Sequence, residues 1–582
     1  MSRLVRLATW AACGLLASVA FPAALSTAAE PEPPVRPVAT AADPAYDVLV
    51  FSRTAGFRHS SIDEGTAALR ELGAANNFTV TATEDSAVFT PANLAGYESV
   101  VFLSTTGDIL NSAQQTAFEG YIESGGGYVG IHAAADTEYD WSWYAGLAGA
   151  LFRSHPAIQP ATVKVEDRAH DATAHLGPAW QRTDEWYDYR TNPRTTAHVL
   201  ASLDESSYSG GSMGGDHPIA WCKDYRGGRA FYTGGGHTED SYADAAFRRH
   251  LLGGIRWSAG MTEADCRPET GYTTLFGTSG TPGWKQAGPG TFTNADSTLT
   301  SQGGLGLLWY QAEEYESYSL KLDWRQAGDD NSGVFVGFPA SDDPWSAVDN
   351  GYEIQIDATD ATDRTTGSVY GFKSADLGAR DKALNPPGEW NTYEIRVEGE
   401  RLRVYLNGVQ INDFTNTVPA RSLQQGHIGL QNHGDGDDVS FRNIRIKELG
   451  GADGPREGVI TGIGGKCVDV ANGASADGTQ IQLWTCNQSA AQKWTVATDG
   501  TLRALGKCMD ISGGGTADGT KIQLYGCNGT GAQKWAPQTD GTLRNPQSGK
   551  CLDASGVSSA DGTKLHLWTC LAATNQKWDL PG

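Results

Sequence analysis

Hydrophobic and polar positions follow different periods in different parts of this chain of 582 residues. Between residues 46 and 262, short apolar runs such as DVLVF, VTATE, SVVFLS and GYVGIH alternate with amphipathic stretches such as SIDEGTAALRELGAAN and SAQQTAFEGYIESG. The short runs predict buried strands, and the amphipathic stretches predict helices. Their alternation predicts an α/β domain over 46–262, with a parallel sheet covered by helices on both faces.

From residue 271 to residue 449 the helical period gives way to short alternating runs, among them YSLKLDWRQ, SGVFVGF, YEIQID, GSVYGF, GHIGLQN and VSFRNIRIKEL. Turn signals such as EGE and NGV separate these runs. Alternation with period two and frequent turns predict an antiparallel all-β sandwich.

The tail, residues 458–582, is an internal repeat. Its three copies begin GKCVD, GKCMD and GKCLD, end in QKW, and recur at intervals of 41 and 43 residues. Three copies of a four-strand unit predict a closed β structure with three-fold symmetry.

The first residues predict export. Arg3 and Arg6 precede an apolar run from Leu7 to Leu25 that ends in LSTAAE, which indicates a signal peptide over 1–29, followed by a Pro-rich linker over 30–45. No later stretch is long and apolar enough to span a membrane, so we expect a soluble, secreted, extracellular monomer. The formal net charge of -24 repels phosphate backbones and argues against nucleic acid as a partner.

Cysteine spacing predicts disulfides. Three cysteine pairs in the tail are each 19 residues apart, namely Cys467/Cys486, Cys508/Cys527 and Cys551/Cys570. In an oxidising compartment such pairs form disulfides, and the lack of a CxxC pair argues against zinc. Cys222 and Cys266 are predicted to form a fourth bridge, with two free buried thiols as the alternative.

The repeats of the tail resemble the ricin-type β-trefoil lectin family. They carry its QxW signature as Gln492/Trp494, Gln533/Trp535 and Gln576/Trp578, in which the tryptophans are expected in the core. In this family a carboxylate binds vicinal sugar hydroxyls while an aromatic face stacks on the ring. The resemblance implies three sugar sites, formed by Asp469, Gln482 and Trp484, by Asp510, Gln523 and Tyr525, and by Asp553, His566 and Trp568.

The three sugar sites are not equivalent. The asparagine that the family places before the QxW glutamine is present only as Asn575, because Ala491 and Ala532 occupy the other copies. We therefore expect the third site to bind glycan best. The alternative is a degenerate trefoil that is only structural.

The middle segment resembles the 3-keto-disaccharide hydrolase family. The resemblance is carried, in order, by DNSGVFVGF, NGYEIQID, TGSVYGF, PPGEWNTYEIRVEG and GHIGLQNHG. It implies a concanavalin-like jelly roll that acts on disaccharides oxidised at C3. A ketone at C3 acidifies the hydrogen on C2, so that one base can start the expulsion of the C1 substituent without a pair of glycosidase carboxylates.

The candidate base of this segment is Glu353 or His433, with Asn331, Gln355 and Gln431 orienting the hydroxyls and the oxyanion. The alternative is a sandwich that only binds sugar through polar rim residues. The acidic loop GDGDD, residues 434–438, is either a Ca²⁺ site or a solvated turn.

The first segment resembles the ThuA-like (trehalose utilisation) family, a branch of the class I glutamine-amidotransferase-like, flavodoxin-like fold. The resemblance is carried by FRHSS, GGYVGIHAAAD, SHP, TDEWYDY, HPIAW and GRAFYTGGGHTEDSY. In amidotransferase relatives the elbow after the strand carries a catalytic cysteine. His132 stands there in this chain, which excludes thiol chemistry and glutamine hydrolysis.

Nine of the twelve histidines lie in this segment. We expect a polar pocket at the carboxyl edge of the sheet, where His132 acts as base or ligand with Glu185 or Glu239 as its orienting carboxylate. A divalent metal is the alternative to hydrogen-bonded structural histidines, although no HxH or HExxH spacing is present. The other histidines assigned to this pocket are His59, His155, His217 and His237.

Together these patterns predict a multidomain, secreted carbohydrate-active protein. It hydrolyses 3-keto-glucosides or 3-keto-disaccharides by elimination and hydration, while the lectin domain holds it on a polysaccharide or other glycan. The alternative is a non-enzymatic protein whose three domains only bind sugar. A dinucleotide-dependent redox enzyme lacks support because no GxGxxG follows a predicted strand.

Overall fold

The computed structural model describes residues 42–276, 280–449, 456–497, 500–538 and 541–581. The predicted signal peptide and most of the Pro-rich linker lie outside these residues. Within the described ranges, no helix has both the length and the apolar character needed to cross a membrane.

The first domain contains the predicted alternation of strands and helices. Its strands are β1 (Tyr46–Phe51), β2 (Phe78–Thr83), β3 (Ser99–Leu103), β4 (Gly127–Ile131), β5 (Phe152–Ser154), β6 (Gln159–Val165), β7 (Ala179–Asp184), β8 (Asp188–Tyr189), β9 (His198–Leu203), β10 (Pro218–Tyr225) and β11 (Gly228–Thr233). Its helices are α1 (Ile62–Ala75), α2 (Pro91–Leu94), α3 (Ser112–Glu123), α4 (Ser142–Ala148), α5 (Glu239–Ala243) and α6 (Ala245–Ser258). Strands β1, β3, β4 and β11 contribute their side chains to one core with the inner faces of the helices.

Nine of these strands form one sheet in the order β2-β1-β3-β4-β11-β10-β9-β6-β7. The strands from β2 to β11 run parallel, whereas β10, β9, β6 and β7 pair antiparallel. The prediction of an all-parallel sheet is therefore wrong for one half. The turn between β10 and β11 shows the reason for this pair. Arg226 and Gly227 both have positive φ and form a two-residue hairpin turn. Two residues are too few for the crossover that two parallel strands need.

The second domain is an antiparallel sandwich. Its strands are β12 (Thr273–Thr274), β13 (Trp284–Ala287), β14 (Thr291–Ala295), β15 (Thr298–Gln302), β16 (Gly306–Tyr310), β17 (Tyr318–Gln326), β18 (Ser332–Phe338), β19 (Tyr352–Ile356), β20 (Asn391–Glu398), β21 (Arg401–Leu406), β22 (Val409–Thr415), β23 (His427–Asn432) and β24 (Val439–Glu448). Two short helices interrupt it, α7 (Trp345–Asn350) and α8 (Leu377–Ala383).

The sandwich buries its main core between two sheets. One sheet has the order β14-β15-β24-β17-β20-β21-β22, and the other has the order β13-β16-β23-β18-β19. The run GSVYGF is not a strand, contrary to the sequence expectation. Gly367 adopts φ +83° there, and Val369 makes only isolated bridges to Ile354 and Lys373, because the segment folds back as a turn.

The third domain consists of short strands and closes as the predicted trefoil. Its strands are β25 (Arg456–Gly458), β26 (Thr461–Gly462), β27 (Lys466–Val470), β28 (Thr479–Trp484), β29 (Trp494–Val496), β30 (Leu502–Ala504), β31 (Lys507–Ile511), β32 (Ile522–Tyr525), β33 (Ala536–Pro537), β34 (Leu543–Arg544), β35 (Cys551–Ala554) and β36 (Leu565–Trp568). The tryptophans of the QxW repeats lie in one core, as predicted.

The predicted disulfides are confirmed. One joins Cys222 to Cys266, and the other three are the bridges of the trefoil repeats, Cys467–Cys486, Cys508–Cys527 and Cys551–Cys570. The two ends of each trefoil bridge lie in different surroundings. The first cysteine is fully buried in a strand, whereas the second is exposed in the loop after the next strand of the repeat, at Cys486, Cys527 and Cys570. Each bridge therefore ties a surface loop to the trefoil core, and the cysteines at the loop end are not core residues.

The first two domains pack against each other through paired charges. Arg256 on α6 binds Asp43 at 2.7 Å and Asp171 at 2.6 Å within the first domain, and Glu389 of the sandwich at 3.2 Å. These side chains are only partly exposed, and Arg256 has three carboxylate partners, so the charges of the two domains are paired at the interface. A cavity of about 480 Å³ opens at the same interface, with a lining that includes Asp167, His198, Glu269 and Arg445.

Candidate functional sites

The elbow after β4 presents His132. The strand ends at Ile131, and a 3₁₀ turn over His132–Asp136 begins at once. His132 adopts φ +50°, a conformation that is rare outside glycine and is held here by its surroundings, including a hydrogen bond from the Tyr232 hydroxyl to its carbonyl at 2.8 Å. Its side chain is fully buried. The sharp turn after the strand thus has the geometry of a nucleophile elbow, but the side chain at its tip is an imidazole.

Four side chains converge at the carboxyl edge of the parallel strands and are called here the histidine cluster: His59, His132, Glu185 and His237. Their ligand atoms all lie within 4.8 Å of one another. His132 Nε2 is 3.1 Å from His237 Nδ1 and 3.5 Å from the Glu185 carboxylate, which lies 3.0 Å from His237 Nδ1. These residues lie at the edge where the sequence predicts a polar pocket.

Asp184, the last residue of β7, fixes the backbone at two residues of the histidine cluster, Glu185 and His237. Its carboxylate is fully buried and accepts hydrogen bonds from the backbone N–H groups of Glu185 at 3.0 Å, Gly236 at 2.9 Å and His237 at 3.1 Å. Ser241 and Arg182 donate to the same carboxylate. Sequence reasoning missed this residue, because its role depends on contacts between distant segments.

Burial and neighbours set the protonation states in the histidine cluster. Burial, together with the adjacent His132 and His237, lowers the pKa of His59 to about 3. Burial alone would raise the pKa of the Glu185 carboxyl, but hydrogen bonds and charge from His132 and His237 outweigh it and hold that pKa well below its usual range. The cluster therefore contains a neutral imidazole beside a carboxylate anion.

The other residues predicted for this pocket lie around the cluster or apart from it. His155 Nδ1 contacts Glu185 at 3.0 Å from a half-exposed position. Of the two carboxylates considered for orienting His132, only Glu185 contacts it among the described contacts, whereas Glu239 accepts from Ser60. His217 is bound elsewhere, with Nε2 at 2.8 Å from the Tyr187 carbonyl and Nδ1 at 3.1 Å from Glu205.

The second candidate site lies on the face of β18, β19 and β23 that points away from the main core. Along β19, Ile354 and Ile356 pack into that core, while Glu353 and Gln355 point to the opposite face. In the sheet, Glu353 of β19 pairs with Phe335 of β18, which pairs in turn with Gly429 of β23. Gln431 lies two residues after Gly429 on β23 and therefore shares the face of Glu353. We call Glu353, Gln355 and Gln431 the sandwich patch.

Glu353 is the carboxyl of the sandwich patch. Its side chain lies over Gly333, where a Cβ would overlap the carboxylate, so only glycine leaves room for it. Burial raises the pKa of Glu353 to about 8, even though the neighbouring His433 and Gln431 lower it. A carboxyl with a pKa in this range exchanges a proton near neutral pH, as a general base does.

The sandwich patch is short of hydrogen-bond donors. Within the described part of the chain, Glu353 Oε1, Gln355 Oε1 and Gln431 Oε1 are buried and have no hydrogen-bond partner. Buried acceptors in this state carry a free-energy cost that a donor removes. A ligand rich in hydroxyl groups supplies such donors.

Asn331 and His433 border the sandwich patch. Asn331 accepts from Gln355 Nε2 at 3.3 Å and donates to Asp357 at 2.8 Å, so it holds Gln355 in place. His433 is half-exposed, and Asp437, 2.9 Å from its Nδ1, raises its pKa despite partial burial. Asp437 also accepts a hydrogen bond from the Asn331 N–H at 2.9 Å. Its carboxylate is thus already bound by two protein groups. Ca²⁺ binding by the acidic loop stays a prediction.

The three trefoil sites have a common plan. In the first, Asp469 lies opposite Gln482 in the ladder and accepts from it at 3.1 Å, while Trp484 is 40% exposed beside them. A cavity of about 400 Å³ opens there, with Asn487 in its lining. The second site repeats the plan with Asp510, Gln523 and Tyr525, and the third repeats it with Asp553, His566 and Trp568.

Family models cover the chain in three consecutive matches. Residues 47–258 match the ThuA model, described as trehalose utilisation. Residues 271–447 match a model described as a 3-keto-alpha-glucoside-1,2-lyase-like domain, and residues 456–578 match the ricin-type beta-trefoil lectin domain. The chain carries these three domains in this order. The resemblances stated from the sequence are thereby confirmed, and the protein bears a ricin-type lectin domain.

Individual relatives cover smaller parts. Nigrin b of Sambucus nigra is 48% identical over 46 residues, and a glucan endo-1,3-beta-glucosidase of Cellulosimicrobium cellulans is 55% identical over 39 residues. The first alignment spans 8% of this chain and of its relative, and the second spans 7% of each. A solved ThuA-like protein from Bacteroides uniformis is 26% identical, with 38% of this chain and 95% of that chain covered and a TM-score of 0.34.

The ricin B lectin domain contains residues whose contacts the sequence reasoning did not foresee. The buried QxW glutamines donate hydrogen bonds to the site carboxylates. Gln492 Nε2 donates to Asp469 at 3.1 Å, and Gln576 Nε2 donates to Asp553 at 2.8 Å. Asn575, singled out from the sequence, donates to Asp553 at 2.9 Å, so the third carboxylate has one more donor. That the third site binds best stays a prediction.

Proposed function

We propose that the protein is a secreted carbohydrate-active enzyme whose sandwich cleaves 3-keto-glucosides or 3-keto-disaccharides, while the trefoil holds it on glycan. The observation that supports this best is Glu353, a buried carboxyl with an unpartnered oxygen and a pKa of about 8, set among further unpartnered acceptors. The match to the lyase-like family model agrees with this chemistry.

The proposed reaction begins at C2 of the oxidised sugar. Ionised Glu353 removes the C2 hydrogen, and the electron pair moves toward the C3 ketone to give an enolate. The enolate reforms the carbonyl as the bond from C1 to the leaving oxygen breaks, which leaves a double bond between C1 and C2. The departing oxygen takes a proton from the acid form of Glu353. Water then adds its hydroxyl to C1 and a proton to C2, so the net change is hydrolysis and no oxidant is consumed.

The neighbours of Glu353 divide the remaining work. The free carbonyl oxygens of Gln355 and Gln431 accept hydroxyl protons of the sugar and set its orientation. His433, whose pKa is raised by its hydrogen bond with Asp437, stabilises in its cationic form the negative charge that develops on the ketone oxygen. Of the two candidate bases from the sequence, the proposal therefore assigns Glu353 as base and His433 as the electrostatic partner.

The test uses the full chain with 3-keto-trehalose in deuterated water. We expect release of glucose and of 3-keto-glucose that carries deuterium at C2, detected by NMR against an enzyme-free control for spontaneous exchange. Glu353→Gln keeps the shape of the side chain but removes the base, and we expect it to lose turnover. Glu316→Gln, the same change at an exposed position of the same domain, is expected to retain it.

Two results would contradict the proposal. One is a wild-type protein that leaves the keto-disaccharide unchanged, and the other is a Glu353→Gln variant that turns it over at the wild-type rate. A glycan array probed with the same full chain then reports whether the non-enzymatic alternative holds, because a pure lectin binds glycan and leaves the keto-sugar intact.

A further inference from the structure

We infer that the histidine cluster of the ThuA domain is a binding site for a divalent transition-metal ion, of which Zn²⁺ is the reference case. The inference does not depend on the chemistry proposed for the sandwich. It rests on the separations of the ligand atoms, on the hydrogen bonds behind them, and on one buried nitrogen without a partner.

The separations match those around a tetrahedral ion. Zinc bonds to imidazole nitrogen and carboxylate oxygen are about 2.0–2.1 Å long, which places neighbouring ligand atoms about 3.3 Å apart. In the cluster, the three distances among His132 Nε2, His237 Nδ1 and the Glu185 carboxylate are 3.0, 3.1 and 3.5 Å. These three ligands therefore already have the spacing that a single ion requires.

The orientation of His132 leaves one ring nitrogen for an ion. His132 Nδ1 lies 2.9 Å from the carbonyl oxygen of Gly234, which only accepts, so Nδ1 carries a hydrogen and Nε2 is the atom with which the neutral ring binds a metal ion. The same Nε2 faces His237 Nδ1, whose one hydrogen serves either His132 or Glu185 as its main acceptor. A carbonyl behind an imidazole is also the usual outer partner of a metal-bound histidine.

His59 supplies an independent observation. Its side chain is 4% exposed, and its Nδ1 has no hydrogen-bond partner among the described residues. The ring of His59 packs edge-on against the rings of His132 and His237, with centroids 4.9 and 5.0 Å away. One of its ring nitrogens lies within 4.8 Å of the ligand atoms of the other three residues. A buried imidazole nitrogen that lacks a partner, beside two other imidazoles and a carboxylate, is the pattern of a fourth ligand.

The donor set selects the class of metal. Three imidazole nitrogens and one carboxylate favour Zn²⁺, Co²⁺ or Ni²⁺ over Ca²⁺ and Mg²⁺, which prefer oxygen ligands. The cluster is not sealed from solvent, because the His237 side chain is 20% exposed and Phe57, 4.9 Å from the His59 ring, is 67% exposed. One side is thus open for water or a sugar oxygen to join the ion.

The experiment measures metal directly. The full chain is treated with a chelator, titrated with Co²⁺ and Zn²⁺, and followed by the visible absorption of bound Co²⁺ and by elemental analysis after dialysis. We expect one ion per chain. Loss of an outer-shell partner typically weakens metal binding about 10- to 100-fold, and His237→Gln and Glu185→Gln, which remove direct ligands, are expected to exceed that.

The control is His175→Gln, the same change at an exposed histidine of the same domain, which is expected to bind like wild type. Circular dichroism identifies variants that fail to fold, and using two independent ligand variants keeps the test decisive if one does. The inference is wrong if the wild type takes up neither ion at micromolar concentration, or if a folded ligand variant keeps the wild-type stoichiometry and affinity.

Discussion

The buried carboxyl of Glu353 has a consequence for stability that can be measured without any substrate. Replacing it in Glu353→Gln keeps the size of the side chain and removes its ability to ionise. We expect the wild type to lose stability relative to the variant as the pH rises from about 4.5 to about 8, because the wild type must then hold a buried anion. The free energy of unfolding of the variant minus that of the wild type should therefore increase over this range.

The size and sign follow from the pKa. Burial raises the pKa of Glu353 from its ordinary 4.5 to about 8. Below pH 4.5 both the folded and the unfolded chain hold the proton, and the contribution of this group to stability is fully present. Between 4.5 and 8 the unfolded chain ionises first, so that contribution falls, and above 8 the loss is complete. At about 1.4 kcal/mol for each tenfold change in the ionisation equilibrium, the total is about 5 kcal/mol.

The assay is urea denaturation of both proteins between pH 4.5 and pH 9, followed by tryptophan fluorescence. The difference between variant and wild type isolates the sandwich, because the other two domains are identical in both. Glu316→Gln makes the same chemical change on the surface and is expected to show no such trend. If the difference for Glu353→Gln stayed constant over this range, the carboxyl would not be the buried, unpaired group described here.

Three further predictions concern packing, sugar binding and disulfides. Gly333→Ala places a Cβ against Glu353 and should cost about 1–3 kcal/mol in stability and lower the turnover of 3-keto-trehalose, whereas unchanged kinetics would contradict the role of this glycine. Trp484→Ala should weaken glycan binding at the first trefoil site about tenfold in calorimetry without lowering the melting temperature, while Trp494→Ala, fully buried, should cost about 3–5 kcal/mol in stability. Reduction of each trefoil disulfide, with its sequence separation of 19, should cost about 3 kcal/mol, measured by denaturation with and without reductant.

Local patterns of the chain predicted individual elements well where neighbouring residues decide the structure. The run YSLKLDWRQ coincides with β17, because apolar and polar residues alternate along it. SGVFVGF coincides with β18, a short apolar run that is buried on both faces. GSVYGF was predicted as a strand and is not one. Its glycine adopts positive φ and turns the chain back, which depends on the surrounding fold rather than on the run itself.

The sites show the same division. His59, His132 and His237 were predicted together from their positions after strands, because strand ends in a parallel sheet share one edge. The role of Asp184 was not predictable, since it depends on which backbone N–H groups three distant segments bring to it. The space above Gly333 was missed for a similar reason, because the register of β18 against β19 decides what lies over each glycine.

Two glutamates of similar burial show how neighbours decide chemistry in this protein. The Glu185 side chain is 9% exposed and the Glu353 residue is 8% exposed, so desolvation alone would raise the pKa of both. Two of the imidazoles in contact with Glu185, His132 and His237, reverse the effect and keep it an anion at neutral pH. Glu353 has no cation in contact among the described ion pairs, and burial prevails. The first carboxylate is thereby suited to hold a positive charge, and the second is suited to take up and release a proton.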